Sequence, residues 1–143
     1  MFKNYFHCYR ANLCFFCIKF HTVKITLLLV AKTESGPVSD IFEKYCSRIS
    51  YYSSFQTIEI VSKKKSTEEL QKREEGQLIL KKIADADSVI LLDEKGKEFS
   101  SIEFSKFIEK HRLNSTKNIV FVIGGAYGFS EEVYKRANHK MSL

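Results

Sequence analysis

Asn118-Ile119-Val120-Phe121-Val122-Ile123-Gly124-Gly125-Ala126-Tyr127-Gly128-Phe129-Ser130 is the stretch on which the reading of the chain turns. Ile119 to Ile123 is an unbroken apolar run. Such a run suits a strand covered on both faces, as parallel strands are, rather than one with a solvated side. Gly124, Gly125 and Gly128 then break the pattern with residues that tolerate positive φ and let a ligand approach the backbone closely. Ser130 comes next as a helix cap, and Phe129 and Tyr134 flank the first turn at the positions of a hydrophobic staple.

Reading outward, the same alternation repeats. Upstream, Val89-Ile90-Leu91-Leu92 predicts a strand from Ser88 to Leu92, ending in the turn Asp93-Glu94-Lys95-Gly96-Lys97. Between the two strands, Ser100 and Glu103 form a capping box, with Ile102, Phe104, Phe107 and Ile108 on the inward face of its helix. Earlier still, Lys24 to Val30 reads as a buried strand. Ser35-Gly36-Pro37 makes a turn, and Val38, Ile41, Phe42, Tyr45 and Ile49 recur at helical spacing. Gln56 to Val61 is a second strand. Ser66 and Glu69 offer another capping box, opening a helix to about Ala84 whose polar first half, Glu68 to Gln77, is expected to face solvent. Beyond Ser130 a fourth helix should end near Asn138, and Lys140-Met141-Ser142-Leu143 looks like the entry to a fifth strand. The order βαβαβαβα predicts an α/β fold: a parallel sheet with helices on both faces.

Composition bounds the rest. The 143 residues suit one domain, and no apolar run approaches the roughly 20 residues a membrane span needs. The net charge is +6, half of it from Lys3, Arg10 and Lys19 in an acid-free first stretch. The body is therefore only mildly basic, which permits an RNA partner without requiring one. Lys63-Lys64-Lys65 reads as a solvated loop. Residues 1–22 are aromatic and cysteine-rich, and hold neither helical nor strand period. Leu13 to Ile18 is too short for a signal-peptide core and is interrupted by Lys19. We expect these residues to be an extension outside the fold, with translation beginning at Val23. Cys14 and Cys17 have C-x-x-C spacing but precede any element that would make a zinc or redox site of them, so no metal is expected. Cys46 reads as a small half-buried hydrophobe on a helix.

In open α/β sheets ligands bind beyond the carboxyl ends of the strands, which here selects the loop after Leu92 and the loop Gly124 to Gly128. Neither Gly-x-Gly-x-x-Gly nor a phosphate-loop pattern is present, so dinucleotide and phosphate-loop readings lack a motif. His111 and His139 read as residues at helix ends that favour the helix dipole. Asp93 and Glu94 read as solvated turn carboxylates. No general acid or base stands out, and the catalytic residues are unknown.

The segments Lys24–Val30, Glu74-x-Gly76 with Ile79-Leu80, Leu91-Leu92-Asp93-Glu94-Lys95-Gly96-Lys97, and Phe121 to Gly128 with Asn138 together resemble the RlmH-type SPOUT methyltransferases of large-subunit ribosomal RNA. The resemblance covers residues 23–143. It implies a SPOUT-like (Rossmann-like) fold in a cytoplasmic homodimer. It also implies S-adenosyl-L-methionine as methyl donor and N3 of a pseudouridine in the helix 69 loop of 23S rRNA as acceptor. Carried over by position, Leu92, Gly124 and Leu143 would line the donor site. Ala126 stands where the family usually has proline or another small residue, a mild departure. The family continues after the position of Leu143 into the loop and helix that tie its C-terminal trefoil knot. The chain is accordingly read as an incomplete SPOUT domain lacking that knot, from which no methyl transfer is expected. The alternative is a non-catalytic remnant or a weak RNA-binding module.

Overall fold

The computed structural model describes residues 23–31, 36–62 and 67–142. The extension 1–22 with its C-x-x-C pair, the triple lysine, Ser66 and Leu143 lie outside the described residues. In chain order the elements are β1 (Lys24–Val30), α1 (Pro37–Ser50), β2 (Phe55–Ile60), α2 (Glu68–Lys82), β3 (Ser88–Glu98), α3 (Ser101–Leu113), β4 (Asn118–Ile123), α4 (Glu131–Arg136) and β5 (His139–Ser142). The five strands form one sheet in the order β2-β1-β4-β3-β5, and every pairing is parallel. The chain thus has the parallel α/β fold its apolar runs predicted.

Helices cover both faces. On one, Ile79 of α2 and Val133 of α4 pack with Leu28, Val89, Leu91, Val120 and Val122. On the other, Phe107 and Ile108 of α3 pack over Ile90, Ile119, Phe121 and Met141. Ile49 of α1 lies on this second side, beside Ile25, Leu27 and Phe104. Successive strand residues contribute to opposite faces, so the apolar runs feed both cores at once. Each fully buried aliphatic side chain contributes about 1.5–3 kcal/mol of transfer free energy.

Several expectations change. Strand β3 does not stop at Leu92. Residues 93–96 loop out, and the strand rejoins β5, so that Met141 is in register with both Leu92 and Lys97. The predicted turn is therefore an excursion within a strand. The cap of α2 is Thr67, whose hydroxyl accepts the Leu70 N–H; the predicted Ser66 start was one residue early. The Ser100–Glu103 capping box is present in both directions. Ile102 is not inward but largely exposed, as are Val38, Ile41 and Tyr45 of α1. Helix α4 is shorter than predicted. It ends at Arg136, because Asn138 is already bound to β3: its Oδ1 accepts from Val89 N–H (2.8 Å) and its N–H donates to Val89 O (2.9 Å).

The histidines sit near the helix ends expected for them, but in other surroundings. His111 is buried within α3, bonded through Nε2 to Ser88 Oγ (3.0 Å) and through Nδ1 to Phe107 O. His139 belongs to β5, edge-on to Phe107 and His111. Its pKa is lowered, first by burial and then by the charges of His111 and Lys110.

Candidate functional site

The carboxyl ends of β3 and β4 lie side by side, with Leu92 in register with Ile123. The two loops that leave these strand ends shape the surface there. The glycine loop leaves β4. Within it Gly125 and Gly128 form an isolated antiparallel bridge, with the Gly128 N–H donating to Gly125 O (3.0 Å). Gly128 has φ of 78°, a conformation that residues with a Cβ rarely adopt. The Asp93–Gly96 excursion leaves β3 after Leu92. Between the two loops opens a cleft of about 600 Å³, which Lys72 of α2 and Tyr134 of α4 also line. Leu92 and Gly124, predicted from separate segments, thus share one cleft, and Leu143 falls outside the described residues.

Asp93 is not the freely solvated turn carboxylate the sequence suggested. The Tyr134 hydroxyl donates a hydrogen bond to its Oδ2, and the Lys95 N–H donates to its Oδ1 (2.8 Å). Both bonds favour the charged form. The Tyr134 bond foremost, with help from Lys140 and Lys95, holds the Asp93 carboxyl below the usual carboxylate range. The same bond, with burial and the nearby acids, pushes the Tyr134 phenol up to about 12. Near neutral pH the pair is therefore a fixed donor and a fixed anion tying the β3 excursion to α4. The predicted staple is present too, with the Phe129 and Tyr134 rings edge to face at 5.8 Å.

Beneath the glycine loop lies a residue that sequence reasoning placed in solvent. Glu75, in the polar half of α2, is buried at 6% exposure. Ser62 Oγ and Gln71 Nε2 both donate to its Oε1. The Glu74-x-Gly76 segment marked this part of α2 as unusual, but no helical period could turn Glu75 inward. Among the described residues there is no group of three or more side chains able to hold a metal ion, and no helix long and apolar enough to cross a membrane. Chemically the cleft offers backbone amides and carbonyls, apolar cover from Leu92, Ile123 and Phe129, and charged side chains at Lys72, Lys95, Asp93 and Glu94. Apolar cover with a few convergent polar groups is the makeup of a ligand site.

Known proteins resemble this chain over most of its length. The family model described as "Predicted SPOUT methyltransferase" matches residues 23–143. The protein of Parabacteroides distasonis named ribosomal RNA large subunit methyltransferase H is 43% identical over 125 residues, covering 85% of this chain and 79% of its own length. Its namesake in Christiangramia forsetii is 45% identical over 123 residues, covering 83% and 78%. That of Flavobacterium johnsoniae is 42% identical over 125 residues.

Proposed function

Since the chain belongs to the SPOUT methyltransferase family, we propose, against the expectation of an inactive chain, that it transfers a methyl group from S-adenosyl-L-methionine to N3 of a pseudouridine in the helix 69 loop of 23S rRNA, acting as a cytoplasmic homodimer. The observation that carries this reading is the cleft between the glycine loop and the β3 excursion, because it meets the needs of the donor. Its volume of about 600 Å³ falls within the range of ligand sites. Gly124, Gly125 and Gly128 all line it, so the loop presents backbone without side chains at three positions. Leu92 and Gly124 would hold the donor through main-chain groups and apolar cover. We assign Leu143 to the same site; it comes after β5, in which Met141 is in register with Leu92.

When bound, the donor supplies an electrophilic methyl group on a sulfonium. The residues of this chain supply position. The Tyr134–Asp93 bond fixes the β3 excursion, and the loop fixes the other wall. Together they would hold donor and acceptor in a reactive arrangement, which alone can account for a large share of a rate enhancement. Lys72 and Lys95 line the cleft, and among the described residues neither has an acidic partner within ion-pair distance. They suit the phosphates of an RNA acceptor.

The test has two steps. Calorimetric titration of the full chain with S-adenosyl-L-methionine should give saturable binding at one donor per chain. Incubation with ribosomes lacking the modification and methyl-labelled donor should then place the label on one pseudouridine of 23S rRNA, identified by mass spectrometry of nuclease fragments. Absence of donor binding, or label on another nucleotide, would overturn the reading.

A further inference from the structure

Glu75 is the only acidic side chain buried among the described residues, and only one of its oxygens is satisfied. Oε1 is clasped: Ser62 Oγ donates at 3.0 Å, Gln71 Nε2 at 2.5 Å, and Gln71 also donates to Ser62 Oγ at 2.7 Å. Oε2 is buried with no hydrogen-bond partner. A carboxylate oxygen in that state is costly, and a native structure that keeps one calls for a reason.

The direction of Oε2 supplies one. A methyl group built on Gly125 would overlap Oε2 and come within 3.0 Å of the Glu75 Cδ. The carboxylate therefore fills the place of a side chain at position 125 and presses on the underside of the loop whose other side walls the cleft. Its helix reaches the cleft as well, since Lys72, one turn earlier, lines it. The next residue, Gly76, lets α2 approach the start of α4: a Cβ there would overlap the Ser130 hydroxyl. Helix α2 is thus fitted to the loop and to the helix after it by consecutive residues.

We propose that Glu75 is a positioning residue for the donor site, its Oε2 serving as the acceptor for a backbone N–H of the glycine loop in the donor-bound form. This role rests on the S-adenosyl-L-methionine reading of the cleft. Gly125 gives the neighbouring peptides the freedom to rotate an N–H toward Oε2. The loop conformation that does so relieves the unpaired oxygen, and is favoured by that relief. Glu75 itself touches neither donor nor acceptor.

Glu75→Gln isolates the effect. It keeps the size, and the Gln71 and Ser62 donors hold its single oxygen in the clasp, leaving an NH2 against the loop where an acceptor is required. In the full chain, calorimetry should show donor affinity reduced at least tenfold, with the thermal midpoint unchanged or raised. Ser62→Ala, which removes one donor to Oε1 and leaves Oε2 in place, should bind the donor within threefold of the unaltered chain. Donor affinity within twofold of the original in Glu75→Gln, or equal losses in both variants, would overturn the proposal. Hydrogen exchange of the glycine-loop amides at saturating donor gives a second readout. Donor should slow exchange of a loop N–H at least tenfold in the unaltered chain and leave it unslowed in Glu75→Gln, and equal slowing in both overturns the proposal. If the unaltered chain binds no donor, the donor reading fails and this proposal with it; donor binding without that difference overturns this proposal alone.

Discussion

Tyr134 and Asp93 show how one hydrogen bond can join two segments of chain that are far apart in sequence. The tyrosine is four residues into a cap-and-helix pattern, the aspartate just past the fully apolar part of a strand, and their bond ties the two walls of the cleft. Its consequences can be titrated. The phenol pKa is raised to about 12 in the folded chain, from an ordinary value near 10. A raised pKa means that the fold favours the protonated form. The associated stability is complete below about pH 10 and is lost as pH rises toward about 12. Asp93 is the mirror case. Its lowered pKa contributes stability that is complete above the ordinary carboxylate range and is lost as pH falls through the depressed value. Tyr134→Phe should abolish the alkaline loss between about pH 10 and about 12 and shrink the acid one. It should also weaken donor binding several-fold and lower the midpoint at neutral pH, where the unaltered chain has the full contribution of the bond. Thermal midpoints across pH, original against variant, decide this; superimposable alkaline limbs would refute it.

At the scale of the element, the contact between α2 and α4 is set by the absence of a side chain. Gly76 sits in the middle of a helix, where glycine is normally unfavourable by roughly 1 kcal/mol relative to alanine. Here that preference is reversed by packing. An alanine Cβ would overlap Ser130 Oγ, lie 3.0 Å from Ser130 Cβ, and touch Val133, which is fully buried. Gly76→Ala should therefore destabilise by about 1–3 kcal/mol despite its better helix propensity, as overpacked sites do. Urea unfolding at equilibrium measures it; a variant as stable as the original would show that α4 moves away freely. Arg136 closes the far end of the same contact. Its Nη2 donates to the carbonyls of Ala84 (2.7 Å), Asp87 (3.1 Å) and Asp85 (3.3 Å), binding the end of α4 to the turn before β3.

At the scale of the molecule, the two faces of the sheet are covered unequally. The α2/α4 side is closed over a continuous apolar cluster. The α1/α3 side keeps Val38, Ile41, Tyr45, Ile49, Phe104 and Ile102 at least a third exposed. It also holds an apolar groove lined by Ile25, Leu27, Phe55 and Phe121 among others. Exposed apolar side chains beside an apolar groove suit an association site, which accords with the proposed homodimer. Sedimentation equilibrium of the full chain should give twice the 16.6 kDa chain mass at micromolar concentration. A single species of chain mass across that range would sink the dimer.

The apolar runs from Lys24, Val89 and Ile119 settled the strands and their parallel arrangement, because only strands buried on both faces can be apolar throughout. The glycine loop was legible as a loop, but from its residues alone it read as a turn as readily as a ligand site. These are local signals, and local signals survive in one dimension. The rejoining of β3 with β5 beyond Leu92 did not, because pairing depends on a partner strand far along the chain, with Met141 meeting Leu92 and Lys97. Nor did the burial of Glu75 and His111 or the Tyr134–Asp93 bond. In each of these a polar residue is stabilised by groups brought to it from other elements, and hydropathy assigns such a residue to solvent. The sequence by itself determined the sheet, the helix order and the loop that forms one wall of the cleft. Only the tertiary structure decided what stands opposite that wall and what braces it from below, because both depend on which distant donors and acceptors the packed helices bring within hydrogen-bond reach.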